Sequence, residues 1–300
     1  MEKKSILSWL LLVLLALVWG SSFILMLRGM ETENHIPIYS DVQVGALRMT
    51  IAGLVMFPFG IFLIRKIKSF RLFVALLIVG TCGNFLPAFL FTYAETELSS
   101  GMTGMLNSFT SFFTIIIGYS VFKQTVSKQQ VYGLLIAFVG ICLLVGSTVL
   151  DGTVSWLHIG AVVLATILYA TSLNTIKHEC QSLKSLEITA LAFTLVAIPA
   201  FLVAYFSGAF TVMTKNPNGW NGLGFIAILS VVGTCIAVVL FNRIIALKSA
   251  VFASSVTYLI PIVAVIIGCF YNHENILWQQ VLGMVVIIGG VALANRQLKK

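Results

Sequence analysis

Apolar residues run along this chain in long, unbroken stretches that are separated by short polar connectors. Each stretch is about 20 residues long, which is the length an α-helix needs to cross the hydrocarbon core of a bilayer. The stretches lack the period-two alternation of membrane β-barrel strands. We therefore predict an all-α polytopic membrane protein with ten transmembrane helices, at residues 6–27, 43–64, 70–92, 99–122, 130–149, 155–176, 186–207, 220–242, 249–271 and 277–295.

The composition leaves little room for a water-soluble fold. Of the 300 residues, 59% are hydrophobic and 9% are charged, whereas soluble domains carry about 25% charged residues. The surplus apolar surface must face lipid, where a backbone has to satisfy its own hydrogen bonds. The cysteines form no CxxC pair and no metal-ligand spacing, so we expect neither a metal site nor a cofactor.

The first apolar stretch follows Lys3 and Lys4, an arrangement that resembles the start of a secretory signal peptide. The stretch runs from Ile6 to Leu27, which is longer than a cleavable hydrophobic region, and no convincing small-residue cleavage site follows it. We predict that it is retained as the first span.

The basic residues predict the orientation. With the N-terminus in the cytoplasm, only Arg28 and Lys215 of the 18 Lys and Arg residues fall outside, and Arg48 lies within a span. Cytoplasmic connectors of membrane proteins carry such an excess of Lys and Arg. We expect a multi-pass protein of the cell (cytoplasmic or inner) membrane with both termini in the cytoplasm. The basic residues form no patch within a folded domain, so we do not expect the protein to bind nucleic acid. Its expected partners are the lipid bilayer and a small solute, and the sequence predicts no particular oligomeric state.

A weak internal repeat relates two parts of the chain at a constant offset of 150 residues. Matches include residues 19–22 with 169–172, Gly83 with Gly233, Ser99 with Ser249, residues 116–118 with 266–268, and residues 129–133 with 279–283. They predict two halves of five spans, 6–149 and 155–295. Because five is odd, the second half must cross the membrane in the opposite sense. Inverted repeats are a recurrent architecture of secondary transporters, with a binding site near the membrane midplane.

Several short motifs add a family resemblance. They are Trp19, Gly20, Ser21, Ser22 and Phe23 in the first span, Ala46, Leu47 and Arg48 entering the second, Pro261 with Gly268 and Glu274, and a Gln-Gln-x-x-Gly opening of spans five and ten. In their order and spacing the chain resembles the EamA-like permeases of the drug/metabolite transporter superfamily over most of its length.

The resemblance implies ten spans, cytoplasmic termini, and export or exchange of small metabolites, amino acids or drugs through a cavity between the halves. The chain departs from the family pattern in its first half, where Ser111 and Gln124 replace the usual proline and glutamate. The second half keeps Pro261 and Glu274. The two halves are therefore expected to flex unequally.

Arg48 is the one charged residue placed clearly inside a span. A charge at the centre of a membrane helix costs about 2.5–3.5 kcal/mol on insertion scales, so Arg48 needs a partner, a wet cavity or a route to the interface. Two roles stay open for it: a structural anchor that reaches the membrane surface, and a cavity residue that attracts an anionic group of a solute.

Other polar and aromatic residues at intermediate depth are candidates for the wall of a solute cavity. Asparagine is costly within a span, and residues 107–108 and 257–258 occupy matching places on spans four and nine. Aromatic residues can stack on a solute, although packing is their commoner role. The substrate-cavity candidates are Trp19, Ser22, Arg48, Asn84, Tyr93, Asn107, Ser108, Tyr169, Asn174, Asn242, Thr257 and Tyr258.

Two further groups of residues are interpreted structurally. Gly133 and Gly140, like Gly283 and Gly290, are seven positions apart and share one helix face, so we expect them to allow close helix packing. Glu95 and Glu97 end the third span, and we expect a solvated connector there rather than a gate or an ion-coupling site.

The function that these features favour is secondary transport of a small metabolite, amino acid or drug-like solute by alternating access, with export or exchange as the expected direction. A non-transporting receptor or scaffold and a passive channel are the alternatives. An enzyme is not expected, because no span contains Asp and the histidines are scattered near span ends. The chain also has no phosphate-binding glycine-rich loop.

Overall fold

The computed structural model of the protein describes residues 2–149, 155–271 and 278–295. These residues form helices joined by short connectors, with one isolated β-bridge between Glu31 and Pro37. The connector that contains Glu274 lies outside the described residues.

In the first half, the helices are α1 (Glu2–Met30), α2 (Asp41–Leu63), α3 (Phe70–Gly80), α4 (Leu86–Ala94), α5 (Ser100–Leu106), α6 (Phe109–Ser120) and α7 (Lys128–Val149). In the second half, they are α8 (Trp156–Glu179), α9 (Ser185–Phe206), α10 (Ala209–Lys215), α11 (Gly219–Ser230), α12 (Ala237–Leu247), α13 (Ala250–Ser254), α14 (Val256–Tyr271) and α15 (Trp278–Asn295). The short α10 lies in a stretch that the sequence predicted to be a connector.

Six helical stretches in the described parts of the chain are long and apolar enough to cross a bilayer. They are Ile6–Met30, Asp41–Lys66, Phe70–Ala94, Trp156–Glu179, Ser185–Phe206 and Gly219–Leu247, and shorter apolar helices occupy Ala250–Ala264 and Val281–Gly290. Large apolar side chains cover the outside of the bundle; Phe62 is 82% exposed and Phe206 is 80% exposed. Such a surface suits lipid and would be unfavourable in water.

Two membrane-length helices widen into a π-helical segment at positions 150 residues apart. Thr81–Phe85 joins α3 to α4, and Val231–Ile236 joins α11 to α12. In each π segment, one side chain donates to the backbone carbonyl five positions earlier. Asn84 Nδ2 donates to Val79 O at 3.2 Å, and Thr234 Oγ1 donates to Leu229 O at 3.1 Å.

The predicted helices over 99–122 and 249–271 are each divided near their first third. The first divides at Asn107 and Ser108, and the second divides at Ser255. Side chains near each break bond the local backbone: Ser255 Oγ donates to Phe252 O at 2.7 Å, and Thr257 Oγ1 donates to Ser254 O at 2.8 Å. Such local bonds compete with the helical ladder.

The second helix of each half packs antiparallel to the other along its whole length. Gln43 Nε2 donates to Ser207 O at 2.8 Å at one end of the pair. At the other end, Lys66 Nζ lies 2.6 Å from Glu187 Oε1. Helices α2 and α9 occupy equivalent places in the two repeats. Because they are antiparallel, an approximate two-fold axis perpendicular to both helices relates one to the other.

The last helix of each half, α7 and α15, repeats this antiparallel arrangement through glycine. A Cβ added to Gly140 would lie 2.8 Å from Gly283 O, and one added to Gly290 would lie 2.5 Å from Gly133 O. Real Cβ atoms do not approach a backbone oxygen so closely. The prediction that these glycines allow close helix packing is therefore confirmed.

Two of the buried apolar cores are separated by the layer that contains the central cavity. One core, with Leu12 and Ile244, lies towards the connectors after α8 and α12. The other, with Phe91 and Ile159, lies towards the connector after α4. Trp19 packs against both cores. The layer between them contains the π segments and the central cavity.

Candidate functional site

A central cavity lies between the two halves, at the level of the π segments. The space between its walls is about 910 Å³, counting the part that opens to solvent. Helices α1, α2, α8 and α12 and both π segments contribute to the walls. Of the candidate residues, Trp19, Ser22, Arg48, Asn84, Tyr169, Asn242 and Thr257 line this cavity.

The cavity walls follow the repeat. Helix α1 crosses the second π segment, where Trp19 Nε1 donates to Gly233 O at 2.9 Å. A Cβ on Gly233 would lie 2.9 Å from Ser22 Oγ. Helix α8 crosses the first π segment in the equivalent way, with Ser172 against Gly83. A methyl group at either glycine would displace the serine side chain that contacts it.

Arg48 is held in the cavity wall by the second half of the chain. Its Nε donates to Thr234 Oγ1 at 2.9 Å, and its Nη1 lies 3.7 Å from Met26 Sδ. The Thr234 hydroxyl accepts this bond and donates its own proton to Leu229 O, so it acts as both acceptor and donor. A guanidinium has five N–H donors, so Arg48 retains donors for an anionic group that enters the cavity.

The aromatic candidates take different places. Tyr169 stacks on Phe91 with 5.7 Å between ring centroids at the cavity. Tyr93 lies outside the cavity lining and stacks on His158 at 4.3 Å. Tyr258 also lies outside the lining, in a small apolar cluster with Met105.

The remaining polar candidates outside the cavity lining bond protein groups. Ser108 Oγ donates to Thr257 O at 2.9 Å and so joins the two helix breaks. Asn107 Oδ1 accepts from Thr110 Oγ1 at 3.2 Å. The first bond connects the two halves and the second lies within the first half. Neither Ser108 nor Asn107 lines the cavity.

Asn174 belongs to a separate polar cluster with the segment after α6. Its Nδ2 donates to Thr114 O at 3.0 Å, and its Oδ1 accepts from Gln124 Nε2 at 2.8 Å. Gln124 Nε2 also lies 2.6 Å from His178 Nε2. Gln124, which replaces the glutamate that is usual in the related family, therefore ties this segment to α8.

The connector after α4 differs from the expectation. Glu95 is buried at 5% exposure, so the interpretation of this residue as part of a solvated connector is wrong. The chain turns directly after α4, with Glu95 as its C-cap, and this turn packs the side chain inward. Glu97 is exposed and lies 3.2 Å from His158 Nδ1.

A second cavity, of about 680 Å³, adjoins the first on the side of the connector after α8. Ile176 and Asn242 line both cavities. Lys177 lines the second, where its Nζ donates to Ile245 O and Lys248 O at 3.3 Å each. These carbonyls end α12, which is where a cation interacts favourably with the helix dipole.

Cys180 also lines this second cavity. Burial, with a smaller contribution from the nearby Glu179 carboxylate, raises the pKa of the Cys180 thiol to about 12. The residue therefore stays a neutral thiol at physiological pH and is a poor nucleophile.

A third cavity, of about 700 Å³, lies at the opposite end among the connectors after α1 and α10. Arg28, Glu31 and Asn218 are among its lining residues, and none of its lining residues also lines the central cavity.

The site is suited to binding rather than to chemical conversion. Within the described residues, no group of three or more His, Cys, Asp or Glu side chains is arranged to hold a metal ion. The walls of the central cavity are largely apolar, with a few polar groups and one guanidinium. Small-molecule sites commonly have this composition.

Sequence reasoning missed four contributors to this site. Thr234, Ser172 and Thr110 line the central cavity and Thr189 bonds Asn242, but none of them was chosen as a candidate. The repeat offset carries a signal for the first two, because Thr234 is equivalent to Asn84 and Ser172 is equivalent to Ser22. Thr189, the partner of Asn242, has no such signal.

Two proteins that are similar in sequence to this chain are named as transporters. A probable amino-acid metabolite efflux pump of Salmonella typhimurium is 27% identical over 135 residues, which are 45% of this chain and 42% of that relative's length. The uncharacterized transporter YvbV of Bacillus subtilis is 20% identical over 299 residues, covering 97% of this chain and 92% of that protein.

One solved crystal structure has the same fold, with a TM-score of 0.62 at 13% identity over 96% of this chain and 97% of the other. The model of the EamA-like transporter family matches residues 7–146 and 156–296, so it covers both halves. The chain therefore belongs to the EamA-like transporter family.

Proposed function

We propose that this protein is a secondary transporter that carries a small solute with an anionic group across the cytoplasmic membrane, by alternating access and in the direction of export or exchange. Family membership and the names of the two relatives support transport. The observation that carries the choice of solute is the Arg48 guanidinium in the wall of the central cavity, held by Thr234.

The electrostatics of the cavity favour an anion. Among its described lining residues there is no Asp or Glu, and Arg48 is the only charged one. The buried Glu95 carboxylate, outside the cavity lining, also attracts Arg48. In a largely apolar site, which has a low effective dielectric, a guanidinium attracts a carboxylate or phosphate more strongly than it would in water. Arg also matches the planar geometry of these groups.

The architecture that we propose consists of ten spans in two inverted five-helix repeats, 6–149 and 155–295, with both termini in the cytoplasm. The antiparallel pairs α2–α9 and α7–α15 support it, because equivalent helices run in opposite directions in both. The matching π segments support it as well. Two similar halves of opposite orientation have two near-equivalent arrangements, each opening the cavity to one side of the membrane.

A carrier is favoured over a passive channel by the arrangement of the three cavities. The central cavity shares Ile176 and Asn242 with the cavity near the basic connector after α8. It shares no lining residue with the cavity at the opposite end. A cavity that adjoins one end of the protein is what a carrier needs in each of its two states.

The test is a solute screen with the purified protein in proteoliposomes, with and without a pH gradient. We expect saturable flux of carboxylate-bearing solutes. Arg48→Gln should lower the initial rate at low solute concentration by about 10- to 100-fold, because charge-assisted hydrogen bonds contribute about 1.5–3 kcal/mol. Arg48→Lys should retain part of the rate, since it keeps the charge but loses the planar fork.

Arg65→Gln is the matched control, because Arg65 is an exposed arginine in the connector after α2. Its flux should equal that of the unchanged protein. Saturable flux restricted to cations, or carboxylate flux that Arg48→Gln leaves intact, would overturn the proposal.

A further inference from the structure

The connector between α6 and α7 is held against α8, in the other half, by one polar side chain. Gln124 Nε2 donates to Asn174 Oδ1 at 2.8 Å and lies 2.6 Å from His178 Nε2. Phe122 stacks on the His178 ring with 4.9 Å between ring centroids. We call the Gln124–His178 contact the latch. It joins the two halves at the end of the molecule where the second cavity adjoins the central one.

The direction of each hydrogen bond in this cluster follows from Asn174. Asn174 Nδ2 donates to Thr114 O at 3.0 Å and to Ala170 O at 2.9 Å, so a flipped amide would set its oxygen against two carbonyl oxygens. Asn174 Oδ1 therefore faces Gln124 and requires a donor there, which the Gln124 amide nitrogen supplies. It follows that the same Gln124 nitrogen faces His178.

This arrangement selects one protonation state of His178. An amide nitrogen donates and does not accept, so His178 Nε2 must be the acceptor of the 2.6 Å contact. A neutral imidazole with its proton on Nδ1 meets that requirement. An imidazolium has N–H groups at both ring nitrogens, so its Nε2–H would point at the Gln124 N–H groups. A proton on His178 Nε2 and the latch therefore exclude each other.

The carboxylate that interacts with His178 is already paired with a cation. It belongs to Glu179, which Arg71 of α3 bonds at 2.7 Å. Lys177 is directed at the carbonyls that end α12. Helices α3, α6, α12 and α13, which pack against α8, contain no Asp or Glu. The remaining titratable groups of these helices and the flanking connectors include no carboxylate; they are Tyr119, Lys123, Cys180, Lys184, Arg243 and Lys248.

The backbone of the connector also depends on the contacts around the latch. Lys123 has a φ of 53°, in the left-handed region that residues other than glycine adopt at a cost. Gln124 N donates to Gly118 O at 2.9 Å, and a Cβ on Gly118 would lie 3.0 Å from Gln124 Oε1. A turn of this kind persists where its surroundings hold it. Without the latch, the connector loses one of the contacts that hold this turn.

We infer that the latch is a pH-sensitive contact between the two halves, closed when His178 is neutral and open when His178 binds a proton. Histidine is the side chain that ordinarily changes charge between about pH 5 and about pH 8. The latch is therefore stable at the alkaline end of this range and is lost as the pH falls.

The side from which the proton comes rests on the proposed topology, in which this end of α8 faces the cytoplasm. Acidification of the cytoplasm then shifts the carrier away from the conformation in which the central cavity adjoins the second one. The latch itself follows from the hydrogen bonds alone and does not depend on the identity of the solute.

The experiment measures the distance between the connector and the end of α8 by pulsed EPR. Nitroxide labels are attached to Thr125→Cys and Gln181→Cys, both at exposed positions, in the full-length protein without its native cysteines in lipid nanodiscs. We expect one narrow distance distribution at about pH 8 and a second, broader component at about pH 5. The ratio of closed to open populations should fall about tenfold, because the closed form loses a hydrogen bond and gains two opposed donors.

Three variants separate His178 from the rest of the protein. Gln124→Glu replaces the donor with a carboxylate, which accepts from an imidazolium and is repelled by a neutral Nε2, so its latch should close as the pH falls. His178→Phe keeps the stack on Phe122 but cannot titrate, so its distribution should be the same at both pH values. His35→Gln removes an exposed histidine of the first connector and should leave the response unchanged.

A pH response that persists in His178→Phe would overturn the inference, as would a response of Gln124→Glu in the same direction as that of the unchanged protein. A single distribution at both pH values in the unchanged protein would overturn it as well. In each of these cases, Arg48-dependent carboxylate flux would leave the proposed function standing.

A second measurement needs no label and retains the native cysteines, so it decides if the cysteine-free protein is not monodisperse. Hydrogen–deuterium exchange at residues 121–124 is compared between the unchanged protein and His178→Phe at the same pH. Exchange should be slower in the unchanged protein at about pH 8 and similar in the two proteins at about pH 5. Equal exchange in the two proteins at both pH values would contradict a closed latch.

Discussion

Arg48 shows how a hydroxyl can fix the position of an intramembrane charge. The guanidinium keeps a fixed position because Thr234 accepts from its Nε, and Thr234 is itself oriented by its bond to Leu229 O. That second bond reaches back five positions, which is the hydrogen-bond spacing of the π-helical segment that contains Thr234. The backbone irregularity, the hydroxyl and the cation therefore act together.

These two hydrogen bonds of Thr234 predict the effect of changing it. Thr234→Val keeps the shape but removes both hydrogen bonds, so Arg48 loses its fixed position. We expect the KM for an anionic solute to rise about tenfold, since each lost bond is worth about 1 kcal/mol. Thr234→Ser keeps the hydroxyl and should stay within about twofold of the unchanged protein. Initial rates over a range of solute concentrations measure both.

An equal rise in KM for both variants would mean that the Thr234 hydroxyl does not position Arg48. The thermal stability of the detergent-purified variants distinguishes this result from general misfolding.

At the scale of helices, the two repeats share irregular features of the backbone as well as regular helical segments. The π segments, the divided helices and the serine caps at Ser99 and Ser249 all recur in both halves. An irregular feature that appears twice is specified by the sequence, because chance strain would not recur at equivalent places.

The glycine contact between α7 and α15 leads to a prediction about stability. Gly290→Ala places a methyl group 2.5 Å from Ala137 N and from Gly133 O, so the helices must separate. We expect a loss of about 1–3 kcal/mol, the usual cost of overpacking, and a lower melting temperature in detergent. Gly289→Ala is the adjacent control, since a Cβ there meets nothing within 4 Å.

The control should match the unchanged protein or exceed it slightly, because alanine favours helix over glycine by about 0.8–1 kcal/mol. Equal melting temperatures for the two variants would contradict the close packing of these helices.

The sequence predicted helices well where the signal is an apolar stretch of membrane length. It did not predict where those helices widen or divide, because a π segment depends on a single side chain, such as Asn84, bonding back five positions. The cavity candidates show the same limit. Arg48 and Asn242 line the cavity, whereas Asn174 bonds Gln124 and Tyr93 stacks on His158. These partners lie on other helices and depend on packing that one sequence does not display.

At the scale of the whole molecule, the proposed inverted architecture predicts which connectors share a compartment. In a variant without native cysteines, single cysteines at Asn34 and Lys215 should react with a membrane-impermeant maleimide on intact cells. Those at Lys68 and Gln181 should react only after the membrane is opened. All four positions are exposed, so access to the reagent is limited by the membrane alone.

Labelling of Asn34→Cys and Gln181→Cys from the same side would contradict the proposed topology. Unchanged labelling of an introduced cysteine after lysis serves as the control for reactivity.

Arg48 belongs to α2, and its counterpart α9 contains no Lys or Arg. A carrier with its binding cation on one half presents a different binding surface to each compartment. Reversibility at equilibrium still forbids it from accumulating an uncoupled solute. The difference must therefore appear as unequal half-saturation constants for influx and efflux, balanced by unequal maximal rates, so that Vmax/KM is the same in both directions.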